Sequence, residues 1–208
     1  ECAEVEKLLD SDHRADLLDR LSLEETIESV RPEVVFHLAA QPLVEVGFRD
    51  PAETWRVNVL GTVNVLEAVL RRDEEIAVVV VTTDKVYEDQ GAGSRYGELD
   101  ALGGGDPYGA SKASVELVAR SFMSVSQARN SSGSMRVATA RSGNVIGGGD
   151  WSKYRLLPDC LRAFALGEPV ALRMPDAVRP WQHVLEPLGG YLRLAEELCG
   201  SGGGRFAS

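Results

Sequence analysis

Tyr108-Gly-Ala-Ser-Lys112 is the segment of this chain whose residue types and spacing most directly suit chemistry. Four residues apart on a helix, a phenol and an ammonium share one face, about 5–6 Å apart at their Cβ atoms. A tyrosine ionises near pH ~10 in water, too high for a base at neutral pH. A cation about 4 Å away is worth roughly 4 kcal/mol at an effective dielectric near 20, or about three pKa units. Such a pair could hold a phenolate that accepts a proton from a hydroxyl group. With five tyrosines, and lysines at 7, 85, 112 and 153, the spacing also arises by chance. Those odds are about one in ten, so the pair alone also reads as a helix-surface contact.

Other segments point the same way. Residues 76–83 form an apolar run that ends in Thr82-Thr83-Asp84-Lys85, and ligands bind at the carboxyl ends of parallel strands. A hydroxyl and a carboxylate there suit donation to a reacting oxygen, or simply a capped turn. Residues 36–41 end in His37-Leu38-Ala39-Ala40-Gln41, small enough to let a flat ligand near the backbone, or to pack closely. Asn58 and Gly61 lower helix propensity within Asn58-Val-Leu-Gly-Thr62, either to brace a strand end or as a plain imperfection. Arg141-Ser-Gly-Asn144 leaves a strand and becomes a loop rich in exposed amides, suited to a pyrophosphate. Arg179-Pro-Trp-Gln-His183 adds a second cationic position, which as a lone charge would be surface.

These segments need elements to hold them. Ser22-Leu-Glu-Glu25 fits a capping box, with Ser22 as cap, opening a helix that ends before Pro32. Residues 33–40 read as a buried strand and 76–83 as a central parallel strand, apolar on both faces. Asp50-Pro51 with Glu53 starts a helix to about Arg72, and a further helix spans about 108–129. A polar connector at 130–134 leads to a strand at 135–141. A helix near 156–166, a strand at 169–172 and a helix near 188–198 complete the order, before a glycine-rich tail at 200–204. Strand and helix in alternation predict an α/β fold on a parallel sheet.

Composition narrows the partners. The 208 residues are 44% hydrophobic and 26% charged, the proportions of a globular domain. Twenty-two basic against 32 acidic residues give a net charge of −10, which argues against nucleic acid as a partner. The longest apolar run, 76–81, is far short of the ~20 residues of a membrane span. No basic-then-apolar leader opens the chain, so a cytoplasmic location is expected. Cys2, Cys160 and Cys199 are scattered and read as reduced, mostly buried thiols. His13, His37 and His183 lack ligand spacing, so no metal is expected.

Taken together, HxAA, NVxGT, the TTD strand end, YxxxK and RxxNVxG resemble the extended short-chain dehydrogenase/reductase family in order and spacing. The likeness runs from about Asp16 to Arg205 and is nearest to the 4,6-dehydratases of nucleotide sugars, those acting on CDP-glucose in particular. It implies a Rossmann-like, doubly wound parallel sheet with part of a smaller C-terminal substrate domain. Residues 1–146 would be a truncated NAD-binding domain, and 147–208 a partial substrate-binding region interleaved with it. The family's amino-terminal glycine-rich turn and carboxyl end are missing, so the chain reads as an internal fragment, inactive alone. A homodimer or higher oligomer is implied for the whole enzyme.

The resemblance also assigns roles. Thr83, Asp84, Lys85, Tyr108 and Lys112 would be catalytic. NAD would be held by Asp16, Leu17, Leu38, Ala39, Ala40, Asn58, Thr82, Tyr108, Lys112 and Arg141. The nucleotide sugar would meet Gln41, Asn144, Arg155, Leu157, Arg179 and His183. Tyr108 would take the 4-hydroxyl proton, Thr83 would bond the 4-oxygen, and Asp84 would protonate the departing 6-hydroxyl. Lys85 would act as base or as a charge for the enolate, where related dehydratases carry Glu. Two alternatives stay open: a 4-epimerase or other oxidoreductase on this scaffold, and a non-catalytic binding module.

Overall fold

The computed structural model describes residues 8–91, 94–129 and 135–200. Cys2, the 130–134 connector and the tail beyond residue 200 lie outside the described residues. Helix α1 (Arg20–Val30) is capped by Asp19, whose carboxylate accepts from the Ser22 amide at 3.2 Å. Ser22, expected as the cap, therefore sits one turn inside, because an aspartate three residues earlier offers the stronger acceptor. The helix stops on Arg31 in a left-handed conformation, φ 50°, before Pro32.

Strands β1 (Val34–His37), β2 (Ile76–Val81) and β3 (Met135–Ala140) form a parallel sheet in that order. Val34 stands opposite Ala77, and Ile76 opposite Met135. With a strand on each side, β2 is apolar throughout. Its Ile76, Val78 and Val80 enter one core cluster with Leu66, Val115 and Val137, while Ala77 and Val79 enter another with Tyr191 and Ala195. Helices on both faces make the sheet doubly wound. β1 was expected to be buried, yet it has one sheet neighbour among the described residues, and its Phe36 is 37% exposed.

The β1–β2 connection holds α2 (Val44–Arg49), α3 (Pro51–Trp55), a π-helical turn (Arg56–Leu60) and α4 (Gly61–Leu70). Asp50 caps α3 through the Glu53 amide at 3.0 Å, and Pro51 fills the first turn. The π turn holds Asn58, where the sequence showed only a helix of low propensity. α5 (Pro107–Ala128) connects β2 to β3 and is capped by Asp106, which accepts from the Gly109 amide at 2.9 Å. Gly104, at φ 88°, passes so close to this helix start that a Cβ would lie 2.3 Å from the Ala110 nitrogen.

Beyond β3, β4 (Asn144–Ile146) pairs in parallel with β5 (Trp181–His183), flanked by α6 (Leu156–Leu166) and α7 (Leu185–Cys199). Residues 169–172, expected as a strand, are irregular instead. Strand pairing needs a neighbour, and it is Trp181–His183 that finds one in Asn144–Ile146. Glycine is needed at 143, where a Cβ would fall 2.5 Å from the Pro180 carbonyl oxygen. α7 returns to the three-stranded sheet with Tyr191, Ala195 and Leu198, so this late segment shares the core of the first half. Of the thiols expected to be mostly buried, Cys160 is half-buried and Cys199 exposed. Among the described residues no group of His, Cys, Asp and Glu could hold a metal, and no helix is long and apolar enough to cross a membrane.

Candidate active site

The exits of β2 and β3 and the start of α5 meet at one edge of the sheet. Beyond β2 the chain stays against the exit of β3: the Thr82 amide donates to the Ala140 carbonyl at 2.8 Å and the Asp84 amide to that of Ser142 at 2.9 Å. Thr83 is buried and extended, and its hydroxyl donates to Asp84 Oδ1 at 3.1 Å. The Tyr108 phenol lies near enough to the Thr83 hydroxyl for that hydroxyl to pull its ionisation down. Thr83, Asp84 and Tyr108 therefore form one cluster.

Burial pushes the Tyr108 phenol up from its ordinary value, against the pull of the Thr83 hydroxyl and the Arg155 charge. Asp84 and Asp106 push it further up. The expectation was a phenolate held by Lys112. In the structure the Lys112 ammonium turns to the sheet instead, donating to the Val81 carbonyl at 2.9 Å. Burial pulls Lys112 down to about 8, against the charge of Glu116 that raises it. Lys85 reaches toward the cap of α5, its Nζ 3.7 Å from Asp106 Oδ2.

Asn58 braces this edge. Its Oδ1 accepts from the Gln41 amide at 2.8 Å, while its Nδ2 donates to Gln41 O at 3.2 Å and to Ser111 Oγ at 2.9 Å. Ser111 in turn donates to the Tyr108 carbonyl at 2.7 Å. The Gln41 side chain is taken up internally, between the Leu43 backbone and the Thr54 hydroxyl. His37 is buried, with Nε2 2.9 Å from Thr62 Oγ1, whose hydroxyl donates to Asn58 O at 2.6 Å. Since that hydroxyl has one proton, His37 Nε2 is the donor. Burial and then the Lys112 charge pull this imidazole down to about 4.

The remaining residues are dispersed around this edge. Leu38 and Ala39 are exposed just past β1, with Ala40 half-buried. Asp16 is exposed and holds the Leu18 amide at 2.9 Å, and Leu17 packs where a Cβ on Gly61 would come within 3.0 Å of it. Arg155 has its Nε 3.5 Å from Asp150, and Asn144 begins β4. Leu157 and Arg179 are exposed, Arg179 donating to the neighbouring Val178 carbonyl. His183, also exposed, accepts from the Leu185 amide at 3.3 Å.

Arg141 was expected to face the cofactor. The structure gives it to Glu116, with Nε 3.0 Å from Oε1 and Nη2 3.0 Å from Oε2. Its guanidinium also lies 4.9 Å from the Tyr87 ring, which stacks on Tyr96. Sequence reasoning missed Glu116, Asp106 and Ser111. Glu116 follows Lys112 by one helical turn, and Asp106 precedes a proline, so both carried a readable signal.

A parallel doubly wound sheet with a tyrosine, a lysine and a hydroxyl–carboxylate pair at the exit of its middle strand defines a Rossmann-like domain. The chain belongs to the NAD dependent epimerase/dehydratase family, whose model matches residues 2–204. It is 44% identical over 204 residues to CDP-glucose 4,6-dehydratase of Salmonella typhimurium, covering 97% of this chain and 56% of that protein. It is 29% identical over 188 residues to UDP-glucose 4-epimerase of Mycoplasma genitalium, covering 83% of this chain and 53% of that protein. UDP-glucose 4-epimerase of Thermus thermophilus, solved in complex with NAD, superposes at a TM-score of 0.73 with 29% identity, over 88% of this chain and 59% of that one. The chain thus spans about half the length of the curated relatives it matches.

Proposed function

We propose that the chain is part of a nucleotide-sugar 4,6-dehydratase whose substrate is CDP-glucose and whose cofactor is NAD. The observation that carries this reading is the Thr83–Asp84 pair beside Tyr108 at the exit of β2. A 4-epimerase has no use for an acid at the 6-hydroxyl, so Asp84 favours dehydration. The likeness to the Salmonella enzyme across nearly the whole chain supports the same choice.

The residues present fit the cofactor. Lys112 is buried with three N–H donors and spends one on Val81 O, which leaves two for vicinal ribose hydroxyls. Asp16 offers an exposed carboxylate for the adenosine end, and Leu38 to Ala40 present small, accessible backbone past β1. Asn58 acts on this site through Gln41 and Ser111, and Arg141 through Glu116. Bound NAD supplies an acceptor that takes a hydride from C4 and returns it at C6, so the net change is loss of water.

The chain's own residues handle the protons. Tyr108 accepts the 4-hydroxyl proton, an ionisation that the Arg155 charge assists against burial. Thr83 turns its hydroxyl from Asp84 to the 4-oxygen. The 4-ketone makes the C5 proton acidic: Lys85, as the free amine, takes that proton and later returns it to C5, while Asp84, entering in its acid form, gives its proton to the 6-hydroxyl as water leaves. The Lys85 ammonium so formed, within 3.7 Å of Asp106, steadies the enolate. Asn144, Arg155, Leu157, Arg179 and His183 would face the nucleotide sugar from residues 147–208 and the β4 edge, with Gln41 shaping the turn beneath. The reading carries with it a cytoplasmic enzyme and a homodimer or higher oligomer.

The test is mass spectrometry of products from a panel of nucleotide-glucoses, made with the protein at its full natural length. Loss of one water from CDP-glucose supports the proposal. A product of unchanged mass with an inverted C4 would make it an epimerase, and no product would favour a binding module.

A further inference from the structure

The Glu116 carboxylate is buried between α5 and the sheet, and its hydrogen-bonding capacity is filled. Oε1 accepts from Thr82 Oγ1 at 2.6 Å and from Arg141 Nε at 3.0 Å. Oε2 accepts from Thr139 Oγ1 at 2.7 Å and from Arg141 Nη2 at 3.0 Å. An ionised carboxylate has about four acceptor sites, and here each has a donor. No capacity is left for a substrate, so the group does not act by touching one. What it joins is informative. Thr82 follows β2 and precedes Thr83, Thr139 lies near the end of β3 and Arg141 just past it, and Glu116 stands on the helix that carries Tyr108 and Lys112.

We propose that Glu116 is a positioning residue of this site: gripped by Arg141, its carboxylate locks the ends of β2 and β3 to α5 and so fixes Thr83 and Asp84 against Tyr108. The inference rests on the dehydratase reading for its kinetic consequences alone. Helix and strand meet here through polar contacts where they emerge from the apolar cluster of Val80, Val115 and Val137. Directional bonds hold a register that apolar contacts leave free to slide. The charge of the same carboxylate also pulls Lys112 upward, partly offsetting the lowering by burial. Arg141 extends it outward, donating to the Glu98 carbonyl at 3.0 Å and lying over Tyr87, which ties those two residues to the strand ends.

The experiment compares Glu116→Gln, Thr139→Val and Val69→Ala in the protein at its full natural length. Gln keeps the shape but turns two N–H donors toward a guanidinium and a hydroxyl. Thr139→Val removes one bond, leaves the ion pair and covers the case in which Glu116→Gln fails to fold. Val69→Ala lowers stability from the same apolar cluster, but beside Ser126 and Met135 at the far end of α5 and the start of β3. Two readouts are taken. Turnover should fall at least tenfold in Glu116→Gln, and less in Thr139→Val, with KM within threefold; Val69→Ala should leave turnover unchanged at an equal or larger drop in Tm. The Tyr108 phenol, read as the ultraviolet difference against the matching Tyr108→Phe form, should titrate at higher pH in Glu116→Gln and Thr139→Val, as in Thr83→Val. This second readout needs no substrate, so it decides the role of Glu116 even if CDP-glucose is not dehydrated. Phenol titration and turnover like the parent's in both variants, or equal changes in Val69→Ala, would overturn the proposal.

Discussion

The Asn58 amide donates to the Ser111 hydroxyl at 2.9 Å, joining the π turn to the helix that carries Tyr108. Through the same side chain the π turn holds the backbone of Gln41 just past β1. A single extra residue in the helical turn thereby gives one buried amide reach in two directions.

Asn58→Ala should therefore destabilise the fold by about 2–4 kcal/mol, since it strands the half-buried Gln41 amide and carbonyl as well as the buried Ser111. Leu60→Ala, on the exposed side of the same turn, should cost under about 1 kcal/mol. Urea unfolding of both variants checks the contrast, and equal losses would contradict the bracing role.

His37 makes stability sensitive to acid. Its imidazole ionises near 6.5 when unfolded and at about 4 when folded. Between those values the unfolded chain binds the extra proton, so stability falls as pH drops through that window. The contribution is up to about 3 kcal/mol across it. Melting temperatures at pH values spanning the window should fall more steeply for the parent than for His37→Asn. Parallel curves would show that this histidine does not titrate as its burial implies.

Tyr108→Phe should abolish turnover while cofactor affinity stays within a few-fold, because the lost atom is the proton acceptor and the Lys112 donors remain. Calorimetry with NAD and product analysis separate the two effects. Activity within threefold of the parent would remove Tyr108 from the role of base.

Asp84→Asn should slow loss of water far more than the first hydride transfer. The amide keeps the shape but has no proton to give, and general acid assistance is worth ~10²–10⁴ in rate. Reduced cofactor should then accumulate in a single turnover, visible by its absorbance. Equal slowing of both steps would assign Asp84 to positioning, together with Thr83.

Much of the fold was legible because its signals are local. The unbroken apolar run at 76–81 is what a strand flanked on both sides requires, and β2 has that setting. The boundaries of α6 follow from an amphipathic period closed by Gly167 in a left-handed turn, φ 69°. Helical spacing alone put Lys112 on the face of Tyr108, whereas Glu116, one turn further on, went unread. The same arithmetic could not say what each polar group would meet. Arg141 looked available to a pyrophosphate until Glu116 arrived from another element, and Gln41 looked available to a substrate until its own turn and Thr54 took it up. Likewise, Trp181–His183 became a strand, and residues 169–172 did not, because only the former met Asn144–Ile146. Periodicity and caps act within a few residues and are written in the chain. Hydrogen-bond partners and strand pairs lie dozens of residues apart, and only the folded chain decides which donor reaches which acceptor.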